Sequence, residues 1–508
     1  MRIRLLFLLI LTFSIITLPS YSDDGLRTMF LNNQAVICGI NIRNFNSKDR
    51  NDNGFIEYDE ERGNFINAID RLDEIKSLNI NTLHVLPVTP VGKLKAIGTA
   101  GSLYAISDFT SINPQLADKD SDLSVKQQAE LFINECHKRG IKVIIDLPSC
   151  GSYDLYLRRP ELFVKDDKNL SIVPTDWTDV RLFQTGNNEK LNSDLFNEHK
   201  KFIDMIIDLN ADGIRADVAT IKPERFWTEL IKYAREKNPE LLFLAEASDS
   251  WRESPSQYAE FTPYNELLRA GFDGYYGSFF NLKDWTKSTQ LFDLIKFNKK
   301  LFNSYEDKKS AIMSFTTHDE VSPIIIHGED FSVMICWLEA TLPYNPYIID
   351  GFQTGDDYIY ELANSRAYKT ETDDDTYFVH RGKFDIFNYS RKIKTKHPEV
   401  LDNFKKAMEF RKSHIDLITK GNFTQLKVKE PSIFAYSRSY KNETIIVIGN
   451  LNKKANYKKI SIKIPKINKS YSVESLTSNT QYKISKNNIY TDLKNGEIKV
   501  LHIHNFSL

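Results

Sequence analysis

Three short segments of the sequence each end in a carboxylate that follows a run of apolar or small residues. These carboxylates are Asp217, Glu246 and Asp319. A buried parallel strand that delivers an acid to the rim of a barrel has this pattern. Breaking a glycosidic bond needs one acid to protonate the leaving oxygen and one carboxylate to attack or stabilise the anomeric carbon. Each acid alone is compatible with a surface residue after a strand, whereas the three together predict glycoside chemistry.

The residues beside these acids indicate how two of them would differ. Arg215 precedes Asp217 by two positions, so alternation along a strand places both side chains on one face, where the guanidinium keeps the carboxylate ionised for attack. An ordinary buried Arg–Asp pair is the alternative. Glu246 must instead carry a proton, and the nearby charge of Asp217 favours this. A retaining enzyme requires carboxyl groups about 5 to 5.5 Å apart, and an inverting one about 6.5 to 9.5 Å.

The elements that must position these acids follow a repeated strand–helix order. Helical patterns alternate with strand-length apolar runs through the first four-fifths of the chain. The predicted strands lie at 35–42, 82–86, 141–146, 213–218, 241–245, 274–276, 311–315 and 346–349. The predicted helices lie at 65–78, 125–139, 196–209, 223–236 and 404–413. This order predicts an α/β fold, a (β/α)₈ TIM barrel over residues 23–415.

Two regions depart from the strand–helix order. Residues 147–195 contain several Pro and Gly without clean periodicity, which predicts a small lobe inserted after strand three. Residues 416–508 contain short alternating runs typical of an antiparallel β-sandwich domain. The lysines between 453 and 486 fit the solvated face of such strands better than a binding patch.

The overall composition excludes some partners. The 508 residues include 67 basic and 68 acidic side chains, for a formal net charge of −1. Such a chain has no global field that would attract nucleic acid or an anionic bilayer. We therefore expect a neutral substrate and no nucleic acid. Separately, we expect a monomer, although no sequence feature fixes the oligomeric state.

The first residues resemble an export signal. Residues 1–22 combine a basic start, an apolar run that is short for a membrane span, and small residues before a cleavage point. This predicts a signal peptide, an exported protein that is periplasmic or extracellular, and no membrane segment after cleavage.

A separate oxygen-rich motif follows the first predicted strand. Its side-chain oxygens come from Asp49, Asn51, Asn53 and Glu60, in the spacing D-x-[DN]-x-[DN]-G-x5-E, and Phe55 would add a backbone carbonyl. Calcium loops of the EF-hand type use this spacing. The motif predicts a Ca²⁺ site, with a polar Asn/Gly turn as the alternative.

The ordered motifs give the chain a family resemblance. The segments that end in Asp217, Glu246 and Asp319 resemble the strand-four, strand-five and strand-seven motifs of the α-amylase family of retaining glycoside hydrolases, family 13. The resemblance extends over nearly all of the mature length. It implies that Asp217 is the nucleophile, Glu246 the general acid/base and Asp319 the stabiliser of the transition state.

Further site residues follow from the same resemblance. Arg215 is the implied partner of the nucleophile, His318 a ligand of sugar hydroxyls, and Tyr104 the stacking tyrosine of the segment after strand two. Some family members also hold calcium in the first loop, which agrees with the motif at 49–60.

The chain departs from the family at strand three. Asp146 begins that motif, but Cys150 and Gly151 stand where the family usually has Asn and His. A sugar-binding imidazole and a common calcium-ligand position are therefore missing. Thr317 and Ala105 replace an Asn and an acid that are frequent in the family. A lost hydrogen bond to substrate is worth about 1 to 3 kcal/mol, which predicts reduced rather than absent activity.

The predicted function is that of a retaining glycoside hydrolase that acts on α-glucosidic bonds of α-glucans or maltooligosaccharides through a covalent glycosyl-enzyme intermediate. Two alternatives are an α-glucan transglycosylase and a catalytically impaired glycan-binding protein on the same scaffold. Product analysis separates them, because hydrolysis gives shorter sugars, transfer also gives longer ones, and a binding protein gives no products.

Overall fold

The computed structural model describes residues 24–50, 60–96, 101–174, 179–357, 397–464, 471–478, 480–482, 484–485 and 487–505. The strands within these ranges are β1 (Ile37–Ile40), β2 (Thr82–Val85), β3 (Ala105–Ile106), β4 (Lys142–Leu147), β5 (Cys150–Ser152), β6 (Val180–Leu182), β7 (Gly213–Ala216), β8 (Leu242–Ala245), β9 (Gly274–Tyr275), β10 (Ser310–Met313), β11 (Asn345–Ile349), β12 (Asn422–Gln425), β13 (Ile433–Tyr440), β14 (Glu443–Asn450), β15 (Tyr457–Lys463), β16 (Tyr471–Ser475), β17 (Asn488–Leu493) and β18 (Ile498–Asn505).

The helices in the same ranges are α1 (Leu26–Leu31), α2 (Ile42–Phe45), α3 (Phe65–Ala68), α4 (Leu72–Ser77), α5 (Val125–Lys138), α6 (Tyr153–Arg158), α7 (Ser193–Asp208), α8 (Glu224–Lys237), α9 (Tyr264–Ala270), α10 (Ser288–Phe302), α11 (Pro323–Thr341), α12 (Pro398–Ser413) and α13 (Ile415–Lys420). None of them has both the length and the apolar content needed to cross a bilayer.

Eight parallel strands close into a barrel, which confirms the predicted fold class. Around the barrel they stand in the order β1, β2, β4, β7, β8, β9, β10 and β11, and β11 pairs with β1. Their residues are almost all buried, as expected for parallel strands covered on both faces. Each carboxyl end therefore meets its neighbours at one rim, where side chains that follow the strands converge.

The helices that follow β9 and β10 have no counterpart in the sequence prediction. Helix α11 is apolar and buried on most sides, so it lacks the one-sided periodicity that reveals a surface helix. Gly328 also interrupts it with a φ of 81°. The helix predicted at 404–413 begins earlier, at Pro398, which suits a first helical turn because proline lacks the N–H that would stay unbonded there.

The inserted lobe is a small sheet beside the barrel rim. Strand β5 pairs in parallel with β3 and antiparallel with β6. The lobe thus recruits residues 105–106, which lie outside the predicted 147–195. Its core includes Cys150, which is buried, as are the other three cysteines.

The C-terminal region is antiparallel, as predicted. Strands β12, β13, β14, β18 and β16 form one sheet in that order, and β15 pairs with β17 in a second. Apolar residues from both sheets share one core, including Ile446, Ile462 and Ile489. The first sheet also contacts α11, which joins this region to the barrel.

Candidate active site

One guanidinium organises the rim of the barrel. Arg215 on β7 is fully buried, and its Nη1 lies 2.8 Å from Asp146 Oδ1 and 3.0 Å from Asp217 Oδ1. Its Nη2 lies 2.9 Å from Glu246 Oε2. The strand register explains the convergence, because Asp146 pairs with Arg215 across β4 and β7, while Ala216 pairs with Ala245 across β7 and β8. The structure therefore brings two of the three predicted carboxylates to one positive charge.

Asp146 is the buried counter-charge of this arginine. Burial raises the pKa of its carboxyl, but Arg215 and His84 more than offset that effect and lower the pKa to about 2. His84 Nε2 lies 3.4 Å from Asp146 Oδ2, and the Tyr104 hydroxyl donates to the same oxygen at 2.8 Å. A carboxylate with these partners stays ionised at neutral pH and balances Arg215.

Asp217 is held from the lobe side as well. Ser149 donates twice to its Oδ2, from the hydroxyl at 2.6 Å and from the backbone N–H at 3.1 Å. The side chain is 5% exposed. Two donors on one oxygen and Arg215 on the other fix the orientation of the carboxylate.

Glu246 is connected to the backbone beside Asp217. Its Oε2 accepts the N–H of Val218 at 2.7 Å. Val218 adopts φ 35° and ψ 54°, a left-handed conformation that is strained for a β-branched residue. Such strain persists where the surroundings impose it and is common at functional sites. Here the conformation aims an amide at Glu246 directly after the strand that carries Asp217.

Asp319 joins the cluster through two rings. His318 Nε2 lies 3.5 Å from Asp319 Oδ2 and 2.8 Å from the Tyr104 hydroxyl. The Tyr104 and His318 rings are stacked, with centroids 5.7 Å apart. The Asp319 side chain is 30% exposed, against 10% for Glu246, so it is the most accessible of the three acids. All six predicted catalytic and substrate-binding residues therefore belong to one connected rim cluster.

The departure at strand three has a packing counterpart. A Cβ built on Gly151 would lie 2.7 Å from the rings of Phe163 and Phe183, closer than real Cβ contacts. These two rings pack against each other in a tilted arrangement, with centroids 5.0 Å apart. The lobe thus fills the space that a side chain at 151 would need.

Several polar residues of the site are absent from the sequence prediction. The Tyr347 hydroxyl lies 2.8 Å from His84 Nδ1, and Arg215 Nε donates to the Tyr276 hydroxyl at 3.1 Å. Ser149 and Lys222 are likewise buried near Asp217. A polar residue inside an otherwise apolar strand was the available signal for His84, since buried polar groups need partners.

The predicted calcium loop is only partly described. Asn51, Asn53 and Phe55 lie outside the described residues. At the ends of the loop, Glu60 Oε1 accepts the backbone N–H of Arg50 at 2.6 Å, and residues 48 and 61 form an antiparallel bridge. These contacts bring Asp49 and Glu60, the first and last predicted ligands, to the same end of the loop. Residues 1–22 also lie outside the described ranges.

Known proteins resemble this chain over most of its length. No protein-family model matches the chain. It is 24% identical over 442 residues to alpha-amylase 3 of Dictyoglomus thermophilum, which covers 78% of this chain and 83% of the relative. It is also 24% identical over 462 residues to an alpha-1,4-glucan:maltose-1-phosphate maltosyltransferase of Picrophilus torridus, covering 86% of this chain and 67% of the relative.

Solved structures share the whole architecture. An alpha-amylase from Lactobacillus plantarum superposes with a TM-score of 0.67 at 20% identity, covering 93% of this chain and 99% of that one. An alpha-amylase from Geobacillus thermoleovorans, complexed with acarbose, superposes with a TM-score of 0.65 at 18% identity, covering 94% and 99%. At these identities the superpositions establish the fold.

Proposed function

Because the chain belongs to the α-amylase family, glycoside hydrolase family 13, we propose that it cleaves α-glucosidic bonds of α-glucans or maltooligosaccharides with retention of configuration. The reaction passes through a covalent glycosyl-enzyme intermediate. The observation that carries the proposal is the single Arg215 guanidinium that contacts Asp146, Asp217 and Glu246 from three neighbouring strands.

In the first step Asp217 attacks the anomeric carbon. Arg215 and Ser149 hold the carboxylate from opposite sides, so it needs no reorientation when the sugar arrives. The strained backbone at Val218 keeps the loop that follows Asp217 in register with Glu246. This arrangement suits a nucleophile because its direction is set before substrate binds.

Glu246 protonates the leaving oxygen and then removes a proton from the acceptor. Burial and the neighbouring Asp217 favour its protonated form, which the first step needs. Arg215 favours its carboxylate form, which the second step needs. Both forms of Glu246 therefore find support in the same site.

Asp319, His318 and Tyr104 contact the sugar. Asp319 is the most accessible carboxylate, and we assign it to sugar hydroxyls and to the developing positive charge. His318 is held between Asp319 and the Tyr104 hydroxyl, which orients its ring toward the same region. Tyr104 links this side of the site to Asp146.

Activity is expected to be lower than that of a family member with the strand-three imidazole. Gly151 has no side chain to offer a sugar, and the rings of Phe163 and Phe183 occupy the neighbouring space. Asp217 and Glu246, the proposed nucleophile and acid/base, keep their contacts with Arg215. A weaker hold on one sugar hydroxyl therefore reduces turnover without abolishing it.

Calcium binding in the first loop is a second part of the proposal. Asp49 and Glu60, with Asn51, Asn53 and the Phe55 carbonyl, supply the hard oxygen ligands that Ca²⁺ prefers. A backbone bridge between residues 48 and 61 closes the loop, and Glu60 Oε1 accepts the backbone N–H of Arg50 beside it. Ca²⁺ there would stabilise the segment that follows β1. Chelation should lower the melting temperature, and Ca²⁺ but not Mg²⁺ should restore it.

We also propose that residues 1–22 are removed during export to the periplasm or the outside of the cell. N-terminal sequencing of the protein recovered from the exported fraction tests this. A mature chain that begins near residue 23 is expected, and an intact Met1 in that fraction would contradict it.

The central experiment incubates the protein with maltoheptaose and follows products by chromatography and proton NMR. Hydrolysis with retention gives shorter sugars whose first-formed reducing end is α. Glu246→Gln keeps an oxygen acceptor for Val218 and should lower kcat about 10²- to 10⁴-fold with an unchanged circular dichroism spectrum. If the wild type binds maltooligosaccharides but forms no products, the proposed enzymatic activity is wrong and a glycan-binding protein is favoured.

Transfer is the second candidate function, since one relative is named a maltosyltransferase. The same glycosyl-enzyme intermediate serves both outcomes, because only the acceptor differs. Products longer than the maltoheptaose substrate would identify transfer. Their absence at high substrate concentration would favour hydrolysis alone.

A further inference from the structure

Three imidazoles and a carboxylate meet far from the barrel rim, where helix α12 ends against the C-terminal sheet. His414 follows α12, His502 and His504 lie on β18, and Glu443 begins β14. A cavity of about 710 Å³ opens beside them, and all three histidines line it. None of these residues takes part in the proposed reaction.

The sheet explains how the group assembles. His502 and His504 are two positions apart on β18, so alternation places both on one face. Glu443 is the direct cross-strand partner of His504, and Glu474 on β16 is the direct partner of His502. The end of α12 then adds His414 from the barrel side.

The donor atoms are close to one another. One ligand atom from each of His414, Glu443 and His502 lies within 4.8 Å of the other two. His502 Nε2 lies 3.9 Å from Glu443 Oε2, and His504 Nδ1 lies 3.8 Å from Glu443 Oε1. Tetrahedral coordination at about 2.0 to 2.1 Å would place ligand atoms about 3.3 Å apart, so side-chain shifts of about 1 Å would bring His414, Glu443 and His502 to that spacing.

His502 has a buried ring nitrogen that lacks a hydrogen-bond partner among the described residues. The residue is 2% exposed, and its Nε2 has no hydrogen-bond partner within the part of the chain that the structure describes. A buried polar atom of this kind destabilises the fold unless a ligand satisfies it. This nitrogen faces Glu443, where an ion held by the cluster would lie.

His414 is already oriented by the backbone. Its Nδ1 donates to the Phe410 carbonyl at 3.1 Å, so the lone pair of the neutral ring is on Nε2. Ligating histidines commonly have their other nitrogen fixed by such a bond. The ring also stacks on Phe410, with centroids 4.3 Å apart, which limits its rotation.

We propose that His414, His502 and Glu443, with His504 as fourth ligand, bind a transition-metal ion of the Zn²⁺ type. Imidazole nitrogens suit Zn²⁺, Ni²⁺ and Cu²⁺, whereas Ca²⁺ and Mg²⁺ prefer oxygen ligands alone. The ion would connect the end of α12 to β14 and β18. The site therefore stabilises the junction between the barrel and the C-terminal sheet and leaves the chemistry at the rim unchanged.

The test uses the full mature protein without a polyhistidine tag. Metal-free protein in saturating Ca²⁺ is titrated with Zn²⁺ against a chromophoric chelator, so the loop at 49–60 does not compete. One Zn²⁺ per chain is expected, with a rise in melting temperature of about 2 to 4 °C. Failure to bind Zn²⁺ would overturn the proposal.

Variants locate the site. His502→Gln and Glu443→Gln should each weaken Zn²⁺ binding by at least about 100-fold. His137→Gln is the matched control, since His137 is also paired with a carboxylate, Asp212, at 2.7 Å but lies on α5, and it should bind Zn²⁺ like the wild type. Glu443 is partly exposed, so its variant gives an answer even if His502→Gln does not fold. Undiminished binding in Glu443→Gln would mean that the histidines only pack together, and would overturn the site.

Discussion

Asp217 is contacted from two sides that are built differently. On the barrel side, Arg215 connects it to Asp146 and Glu246 through charged contacts of about 3 Å. On the lobe side, the chain after β4 donates to it through Ser149 and then turns into the core of the lobe. The barrel side is thus a connected group of charges, whereas position 151 on the lobe side is surrounded by packed aromatic rings.

The lobe side contains a charged side chain that is shielded from solvent. Lys222 is almost fully buried, and its Nζ donates to the Ser149 carbonyl at 3.2 Å. Burial lowers the pKa of Lys222 to about 8, although Cys150 and Asp217 oppose that shift. Burial also raises the pKa of the Cys150 thiol to about 12. The hydrogen bond from Lys222 fixes the backbone at Ser149. Ser149 in turn donates to Asp217, so Lys222 helps to position that carboxylate indirectly.

The largest effect is expected from breaking the barrel side. Arg215→Met would leave the Asp146, Asp217 and Glu246 carboxylates buried without their shared counter-charge. Breaking a buried ion pair typically costs about 3 to 5 kcal/mol of unfolding free energy. Urea unfolding measures this, and activity should also fall below detection. Arg139→Met removes a partly exposed arginine that also contacts two carboxylates, and it should change little.

The lobe side should respond to pH through Lys222. Its pKa falls from 10.5 to about 8 on folding, so the folded state disfavours the charged amine. The penalty is full below pH 8, on the order of 3 kcal/mol, and disappears as pH rises toward 10.5. Lys222→Met should therefore be more stable than the wild type at pH 7, less the hydrogen bond lost at Ser149, with the advantage shrinking by pH 10.

Urea unfolding at both pH values checks this expectation. Lys201→Met on the exposed surface of α7 is the control, and its stability relative to the wild type should not depend on pH in this way. An advantage of Lys222→Met that stays constant from pH 7 to pH 10 would mean that Lys222 is not held in a dry environment.

A smaller effect is expected from restoring the family residue at strand three. Gly151→His places a side chain against the Phe163 and Phe183 rings. Overpacking of this kind costs about 1 to 3 kcal/mol, so the variant should melt earlier without gaining kcat. Gly151→Ala should show a milder loss of the same kind. A more active Gly151→His enzyme would mean that the position still faces the sugar and that the lobe yields easily.

Local patterns predicted the barrel well in its first half. Apolar runs end close to the observed limits of β4, β7 and β8, because buried parallel strands need continuous apolar sequence. Helices α10 and α11 escaped prediction, and α11 shows why: a helix buried on most sides loses the polar face that marks its period. Strand β9 is only two residues long, yet it lies within the strand predicted at 274–276.

The sequence predicted the acids of the candidate site but not the buried polar residues that surround them. Asp217, Glu246 and Asp319 follow strands, so motif and alternation sufficed to find them. His84 and Tyr347 are isolated polar residues in apolar strands, and only barrel closure makes them neighbours at 2.8 Å. The roles of the acids, the calcium loop and export stay predictions that the experiments above address.

The sequence by itself determined which segments become buried strands and which of them carry acids at their ends, because these properties depend on neighbouring residues and on a period of two or 3.6. The tertiary structure alone decided that Arg215 reaches Asp146, 69 residues away, that Phe163 and Phe183 fill the space at Gly151, and that His414 meets β18. Those contacts depend on strand register and on the packing of the lobe and C-terminal sheet against the barrel, which no local pattern encodes.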